Sequence, residues 1–152
     1  NKPAYGLVLR DYHSPNLIWR GDRDGRDRLG ILDCQDAVWG PKAYDLASLA
    51  QDARITIPPE IEEAAVSAYF SRRMQMAGFD AQRTAREFAV MALQRNTKIL
   101  GIFVRLNLRD GKPAYLKHLP RIESYVLRTL PNPGLERLAA FYADMGLGSA
   151  TI

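Results

Sequence analysis

Three oxygen-bearing side chains near the start of the chain have the types and spacing that phosphoryl transfer requires. Asp11 and Asn16 lie five residues apart in the polar segment that interrupts the apolar stretch LVLRDYHSPNLIW, and Asp33 follows 17 residues after Asn16. Mg²⁺ takes carboxylate and carbonyl oxygens as ligands and keeps positions for phosphate oxygens. A further carboxylate beside a substrate hydroxyl can orient that hydroxyl and accept its proton. If the three side chains converge, they predict a site that transfers a phosphoryl group.

Short strands are predicted around these side chains, at residues 5–9, 17–19 and 29–33, because these runs are rich in β-forming residues. The charged segment RGDRDGRDR, at 20–28, predicts an exposed hairpin tip. Pairing of the second strand with the third would place the loop before one strand and the residue that ends the other at the same end of a hairpin. The three side chains would converge as a result. The next segment, CQDAVWGPKA at 34–43, is predicted to be a loop.

The remainder of the chain predicts helices. Pro59 suits a first helical turn, and Asp80 is a candidate N-cap for the longest helix. The predicted helices cover residues 43–53, 59–76, 80–110, 120–130 and 134–145. The predicted fold class is therefore α+β and mostly α, with a small β-hairpin region that carries polar loops and a helical body.

Composition bounds the class of protein. The chain has 152 residues, 47% hydrophobic and 25% charged, which is enough for one domain with a real core or a large piece of one. The single cysteine, Cys34, excludes an internal disulfide and fits a reducing cytoplasm. No apolar run reaches the ~18 residues of a membrane span, so no membrane partner is predicted. The aromatic residues fall at helical core spacing, so no nucleic-acid partner is predicted either.

Two motifs resemble those of one superfamily. The segment LRDYHSPN resembles the H-R-D-x4-N catalytic loop of protein kinases and, more closely, the H-G-D-x-H-x-x-N loop of the aminoglycoside phosphotransferase and choline kinase superfamily. The segment DCQDAVWGPKAYDLA is similar to the superfamily's second motif, an Asp at a strand end followed by a loop and an Asp on a helix. Together they cover residues 7–53. The resemblance implies a protein-kinase-like C-terminal lobe, an enzyme that transfers phosphate to an alcohol group, and ATP and Mg²⁺ as cofactors.

The resemblance also implies roles for individual residues. Asp11 matches the catalytic Asp that positions and deprotonates the acceptor hydroxyl. His13 matches a position near the transferred phosphoryl group, although ordinary hydrogen bonding within the loop explains a His there equally well. Asn16 and Asp33 match the residues that bind Mg²⁺ and, through it, the nucleotide phosphates.

Further residues are candidates for support or substrate contact. Asp45 matches the helix Asp that braces the catalytic loop, and Arg10 belongs to the same brace. A solvated helix acid is the alternative for Asp45. Asp36 is a candidate for second-layer or substrate contact, with an ordinary loop acid as the alternative.

The sequence contains neither G-x-G-x-x-G nor G-x4-G-K-[ST]. A kinase-like enzyme needs a phosphate cradle and a Lys–Glu pair in a smaller lobe before the catalytic loop. We therefore expect residues 1–152 to be the C-terminal, acceptor-side lobe. The N-terminal ATP-binding lobe would be absent from this chain and would be its partner, and the fragment alone should be inactive.

The acceptor is predicted from charge and from a finer resemblance. The net charge is +4, and the helical half carries ten arginines, which disfavours a polycationic acceptor, although arginines that simply solvate helix faces explain the charge as well. The segments QDAVWGPKAYDLASLAQDAR and ALQRNTKILGIF are similar to bacterial kinases that phosphorylate the anomeric hydroxyl of N-acetylmuramate and N-acetylglucosamine in cell-wall recycling. Candidates to contact such a sugar lie together on the long helix: Gln94, Arg95, Asn96 and Lys98. A polar helix face that meets solvent or another helix explains these residues equally well. The alternatives are another small-molecule kinase, of the aminoglycoside, choline or homoserine type, and a non-catalytic scaffold.

Overall fold

A computed structural model describes residues 4–147 of the chain. Its strands are β1 (Tyr5–Val8), β2 (Leu17–Trp19), β3 (Leu29–Ile31) and β4 (Val38–Pro41). Its helices are α1 (Ala43–Ala50), α2 (Pro59–Met74), α3 (Ala81–Asp110), α4 (Leu119–Thr129) and α5 (Glu136–Asp144). Short 3₁₀ turns cover Ser14–Asn16, Gly25–Arg28 and Pro113–His118. The α+β, mostly helical fold class is confirmed.

The strands form two small antiparallel sheets. β2 pairs with β3 as predicted, with Leu17 opposite Ile31 and Trp19 opposite Leu29. β1 pairs with β4, which places Val8 opposite Val38. The prediction of a loop throughout residues 34–43 is therefore wrong. The Gly-Pro pair that ends β4 is a turn signal in isolation, but Pro is tolerated at the end of an edge strand, where no ladder donor is needed.

The helix ends follow their capping residues. The Asp80 side chain accepts the Arg83 N–H at 2.8 Å and starts α3, as predicted. Gly111 ends this helix in the left-handed conformation, with φ of 61°, which glycine adopts without steric cost. α2 begins at Pro59, also as predicted, with Glu60 and Glu62 in its first turn.

The core lies along α3, which packs against both α1 and α4. One buried cluster consists of Ala89, Leu93, Val126, Leu130 and Leu135, and a second of Ala53, Phe103 and Ile122. The second cluster joins the segment after α1 to α3 and α4. Across residues 4–147, none of the helices combines the length and the apolar character needed to cross a membrane.

Candidate active site

The loop between β1 and β2 is folded tightly by its own hydrogen bonds. The His13 N–H donates to the Asp11 carbonyl at 3.0 Å, and the Asn16 N–H donates to the His13 carbonyl at 2.9 Å. The Asn16 side-chain amide also donates to the Asp11 carbonyl at 2.9 Å. Asp11 and Asn16 are thus held in one compact turn, and the Asn16 amide oxygen remains available as a ligand.

A carboxylate on α1 holds the start of this loop. Asp45 accepts the Leu9 N–H at 2.7 Å and the Arg10 N–H at 3.0 Å. Burial raises the pKa of Asp45, and these two hydrogen bonds oppose the rise only in part. The contact is the one that a brace of the loop requires, and it reaches the Arg10 backbone rather than its side chain.

A second carboxylate, Asp52, holds the end of the loop and was missed by the sequence analysis. Asp52 is completely buried and accepts the Ser14 N–H at 2.9 Å, the Arg54 N–H at 2.8 Å and the Ile55 N–H at 3.3 Å. Burial alone would raise the pKa of Asp52, but the hydrogen bonds outweigh it, so its pKa lies below the ordinary value. No local pattern marks such a residue, because its partner Ser14 is 38 positions away.

His13 is buried, with 6% of its surface exposed. Its Nε2 lies 3.0 Å from the Arg54 guanidinium. A guanidinium only donates, so Nε2 accepts, and the ring is neutral with its proton on Nδ1. Burial lowers the pKa of His13 and the Arg54 charge lowers it further, which favours the same neutral form. His13 therefore holds Arg54 in place.

Two non-glycine residues of the predicted motifs have left-handed backbones. Arg10 has φ of 69° and Asp33 has φ of 62°. This conformation costs a residue with a Cβ on the order of 1 kcal/mol, and such strain gathers at functional sites. Asp33 lies two residues beyond the end of β3, so the predicted strand 29–33 is shorter by those two residues.

A backbone hydrogen bond joins Asn16 to the residue that precedes Asp33. The Leu32 N–H donates to the Asn16 carbonyl at 2.9 Å, which extends the β2–β3 pairing beyond Ile31 and brings the next residue, Asp33, toward the loop that carries Asp11. The Asp33 carboxylate is exposed and accepts a hydrogen bond from the Gln35 side chain.

Among residues 4–147, no group of three or more His, Cys, Asp or Glu side chains could hold a metal ion. An amide oxygen and a carboxylate still fit Mg²⁺, which is commonly bound by one or two protein ligands with phosphate oxygens and water.

Asp11 lines a cavity of about 240 Å³ together with four cationic side chains, Arg10, Arg54, Arg95 and Lys98. Ile99 and Phe103, on α3, contribute apolar surface to the same cavity. We call this cavity the Asp11 pocket. Complete small-molecule sites usually enclose about 300–1,000 Å³. The Asp11 pocket is thus of a size to hold part of a ligand.

The other predicted contact residues divide between the pocket and the surface. Arg95 lines the Asp11 pocket and is 3% exposed, with Nη1 donating to the Gln51 carbonyl at 3.0 Å. Gln94 faces a separate apolar groove between α3 and α5. Asp36 is exposed between β3 and β4. Of these three residues, the structure brings only Arg95 to Asp11.

A model of the phosphotransferase enzyme family matches residues 1–95, which is more than half of the chain. The chain belongs to this family. The matched range includes the loop that carries Asp11, Asp33 and the two carboxylates that hold the loop, and the superfamily resemblance of the two motifs is confirmed.

Proteins similar to this member of the phosphotransferase family carry one name, N-acetylmuramate/N-acetylglucosamine kinase. The Caulobacter vibrioides protein is 41% identical over 133 residues, which cover 88% of this chain and 36% of the relative. The Pseudomonas putida protein is 35% identical over 150 residues, 94% of this chain and 42% of the relative. The Neisseria meningitidis protein is 40% identical over 125 residues, which cover 80% of this chain and 36% of the relative. The chain therefore spans about two fifths of the length of the curated relatives it matches.

Proposed function

We propose that this chain is the acceptor-side lobe of an ATP-dependent sugar kinase. The kinase would phosphorylate the anomeric hydroxyl of N-acetylmuramate or N-acetylglucosamine. The observation that carries the proposal is the placement of Asp11. It lines a cavity, and its loop is held at both ends by carboxylates that bind backbone amides. The names of the relatives support the choice of acceptor.

Asp11 would act as the base of the reaction. An acceptor hydroxyl in the pocket would donate a hydrogen bond to the Asp11 carboxylate, which aligns the hydroxyl oxygen with the phosphorus. As the oxygen–phosphorus bond forms, the proton passes to Asp11 and the nucleoside diphosphate leaves. The braces keep Asp11 in position through this step, and positioning contributes much of the rate enhancement in phosphoryl transfer.

Asn16 and Asp33 would hold Mg²⁺. When bound, the ion neutralises charge on the nucleotide phosphates. Asn16 also fixes the Asp11 carbonyl through its side-chain amide, so one residue would connect the metal site to the catalytic loop.

The ATP-binding lobe would cover the strands. Leu7 is 66% exposed and Trp39 is 74% exposed, and the two lie opposite each other in the β1–β4 pair. Large apolar side chains gathered on one face suit contact with another part of the protein. This supports a protein-kinase-like arrangement in which residues 1–152 form the C-terminal lobe. We place the enzyme in the cytoplasm, where ATP and recycled cell-wall sugars meet.

The test uses the full-length protein with ATP and Mg²⁺. N-acetylmuramate, N-acetylglucosamine, an aminoglycoside, choline and homoserine are offered separately, and phosphate transfer is followed by phosphorus NMR. We expect an anomeric sugar phosphate. Asp11→Asn should lower the rate by about 10²–10⁴-fold, while Asp27→Asn, in the exposed hairpin tip, should not. Transfer to a different acceptor would show that the sugar is not the substrate. Absence of transfer to any acceptor would refute the proposed kinase activity.

A further inference from the structure

The four cations of the Asp11 pocket are not equivalent. Arg10 is exposed, and Asp45 binds its backbone N–H and not its side chain, so the contact does not fix its guanidinium. Arg95 is almost fully buried, and its guanidinium is already bound to the Gln51 carbonyl. Lys98 lies 3.5 Å from the Tyr44 hydroxyl, with its ammonium 6.0 Å from the centre of that ring. Arg54 is exposed to the pocket, and the partner of its guanidinium is the neutral ring of His13. Arg54 thus presents a positive charge that this partner does not neutralise.

The position of Arg54 is fixed at two points. Its backbone N–H is bound by Asp52, the same carboxylate that binds Ser14 of the catalytic loop. Its side chain is bound by His13, from the same loop. The guanidinium is therefore positioned relative to Asp11 by contacts with the loop that carries Asp11. A planar guanidinium with donors left over is suited to a carboxylate.

N-acetylmuramate differs from N-acetylglucosamine by a lactyl ether that ends in a carboxylate. We propose that Arg54, positioned by His13, binds this carboxylate and makes the acidic sugar the better acceptor. The proposal rests on the proposed function and assigns its specificity to one residue. His13 is then a positioning residue, and the phosphoryl group would be contacted by others.

The experiment compares three acceptors on the full-length protein: N-acetylmuramate, its uncharged methyl ester and N-acetylglucosamine. The wild-type protein should use the acid with a kcat/KM about 10- to 100-fold above the other two, as expected for a charge-assisted hydrogen bond. Arg54→Gln should remove that advantage and leave N-acetylglucosamine within about twofold. Arg54→Lys should keep part of it. Arg105→Gln is the matched control and should change nothing, because Arg105 is an exposed arginine of α3 that does not line the Asp11 pocket.

The ratio of kcat/KM for N-acetylmuramate to kcat/KM for its methyl ester, measured on one preparation, does not depend on how much of the protein is folded. A wild-type ratio near one overturns the inference even if both sugars are phosphorylated, and the proposed function then stands. An equal loss on all three acceptors in Arg54→Gln, with a raised KM for ATP, also overturns it, because Arg54 would then bind the nucleotide. Absence of transfer to any sugar by the wild-type protein refutes the proposed function itself.

Discussion

Replacement of Asp52 by Asn should release one end of the loop that carries Asp11. Oδ1 of Asp52 accepts the N–H groups of Arg54 and Ile55, and Oδ2 accepts that of Ser14. An Asn side chain keeps one oxygen. We expect this oxygen to face Arg54 and Ile55, where it satisfies two donors. The new NH₂ group then faces the Ser14 N–H, which loses its acceptor.

The size of the effect follows from the lost hydrogen bond of the Ser14 N–H. A hydrogen bond to a charged group is worth about 1.5–3 kcal/mol. With a factor of ten for about every 1.4 kcal/mol, local opening of the loop should become about 10- to 150-fold more frequent. The loop around Asp11 would be misplaced more often, and kcat should fall with it.

Hydrogen exchange resolved by peptide on the full-length protein is the assay. The peptide that contains Ser14 should exchange faster by this factor, and the one that contains Arg54 and Ile55 should not. Asp27→Asn is the control for the loss of one carboxylate. Exchange at Ser14 within about twofold of the wild-type rate would show that Asp52 does not hold the loop and would refute this reasoning.

Four further changes have defined outcomes. Asp45→Asn should speed exchange at Leu9, whose N–H donates to this carboxylate. It should cost less stability than the change at Asp52, because the pKa of Asp45 is raised by burial whereas that of Asp52 is lowered, so the fold favours the charged form less at Asp45. Arg10→Gly should raise the midpoint of urea unfolding, since glycine removes about 1 kcal/mol of left-handed strain; a lower midpoint would contradict this. Since the folded-state pKa of His13 is lowered, the unfolded chain binds its proton more readily, and stability should fall as pH drops through about 6.5; His13→Gln should flatten that fall, measured as midpoint against pH. Asp33→Asn should weaken binding of ATP in the presence of Mg²⁺, measured by calorimetry, but not without the ion.

The parts of the fold that local chemistry specifies could be predicted. The β2–β3 hairpin results from two β-rich runs around a charged tip, and α3 begins at Asp80 because a side-chain oxygen there can accept a free N–H of the first turn. The spacing of Asp11 and Asn16 indicated one loop, and the structure closes that loop with a hydrogen bond between them.

The missed features depend on contacts between distant residues. β4 forms because β1 offers it a partner some 30 positions earlier, and its own Gly and Pro argue against a strand. Asp52 and Arg54 look like ordinary charges after a helix until Ser14 and His13 are brought to them. The role predicted for His13, beside the transferred phosphoryl group, stays a prediction; its burial against Arg54 supports a positioning role instead.

The two braces stand at opposite ends of one short helix. Asp45 lies in the first turn of α1 and Asp52 two residues beyond its last residue. An eight-residue helix is about 12 Å long, and each added residue rotates the next part of the chain by about 100° around the helix axis. The span between the two attachment points is therefore set by the number of residues and not by their identity. Every residue from 43 to 53 is buried or half-buried, so few substitutions should be neutral there. An insertion or deletion of one residue would do more harm still, because it would leave only one end of the Asp11 loop attached.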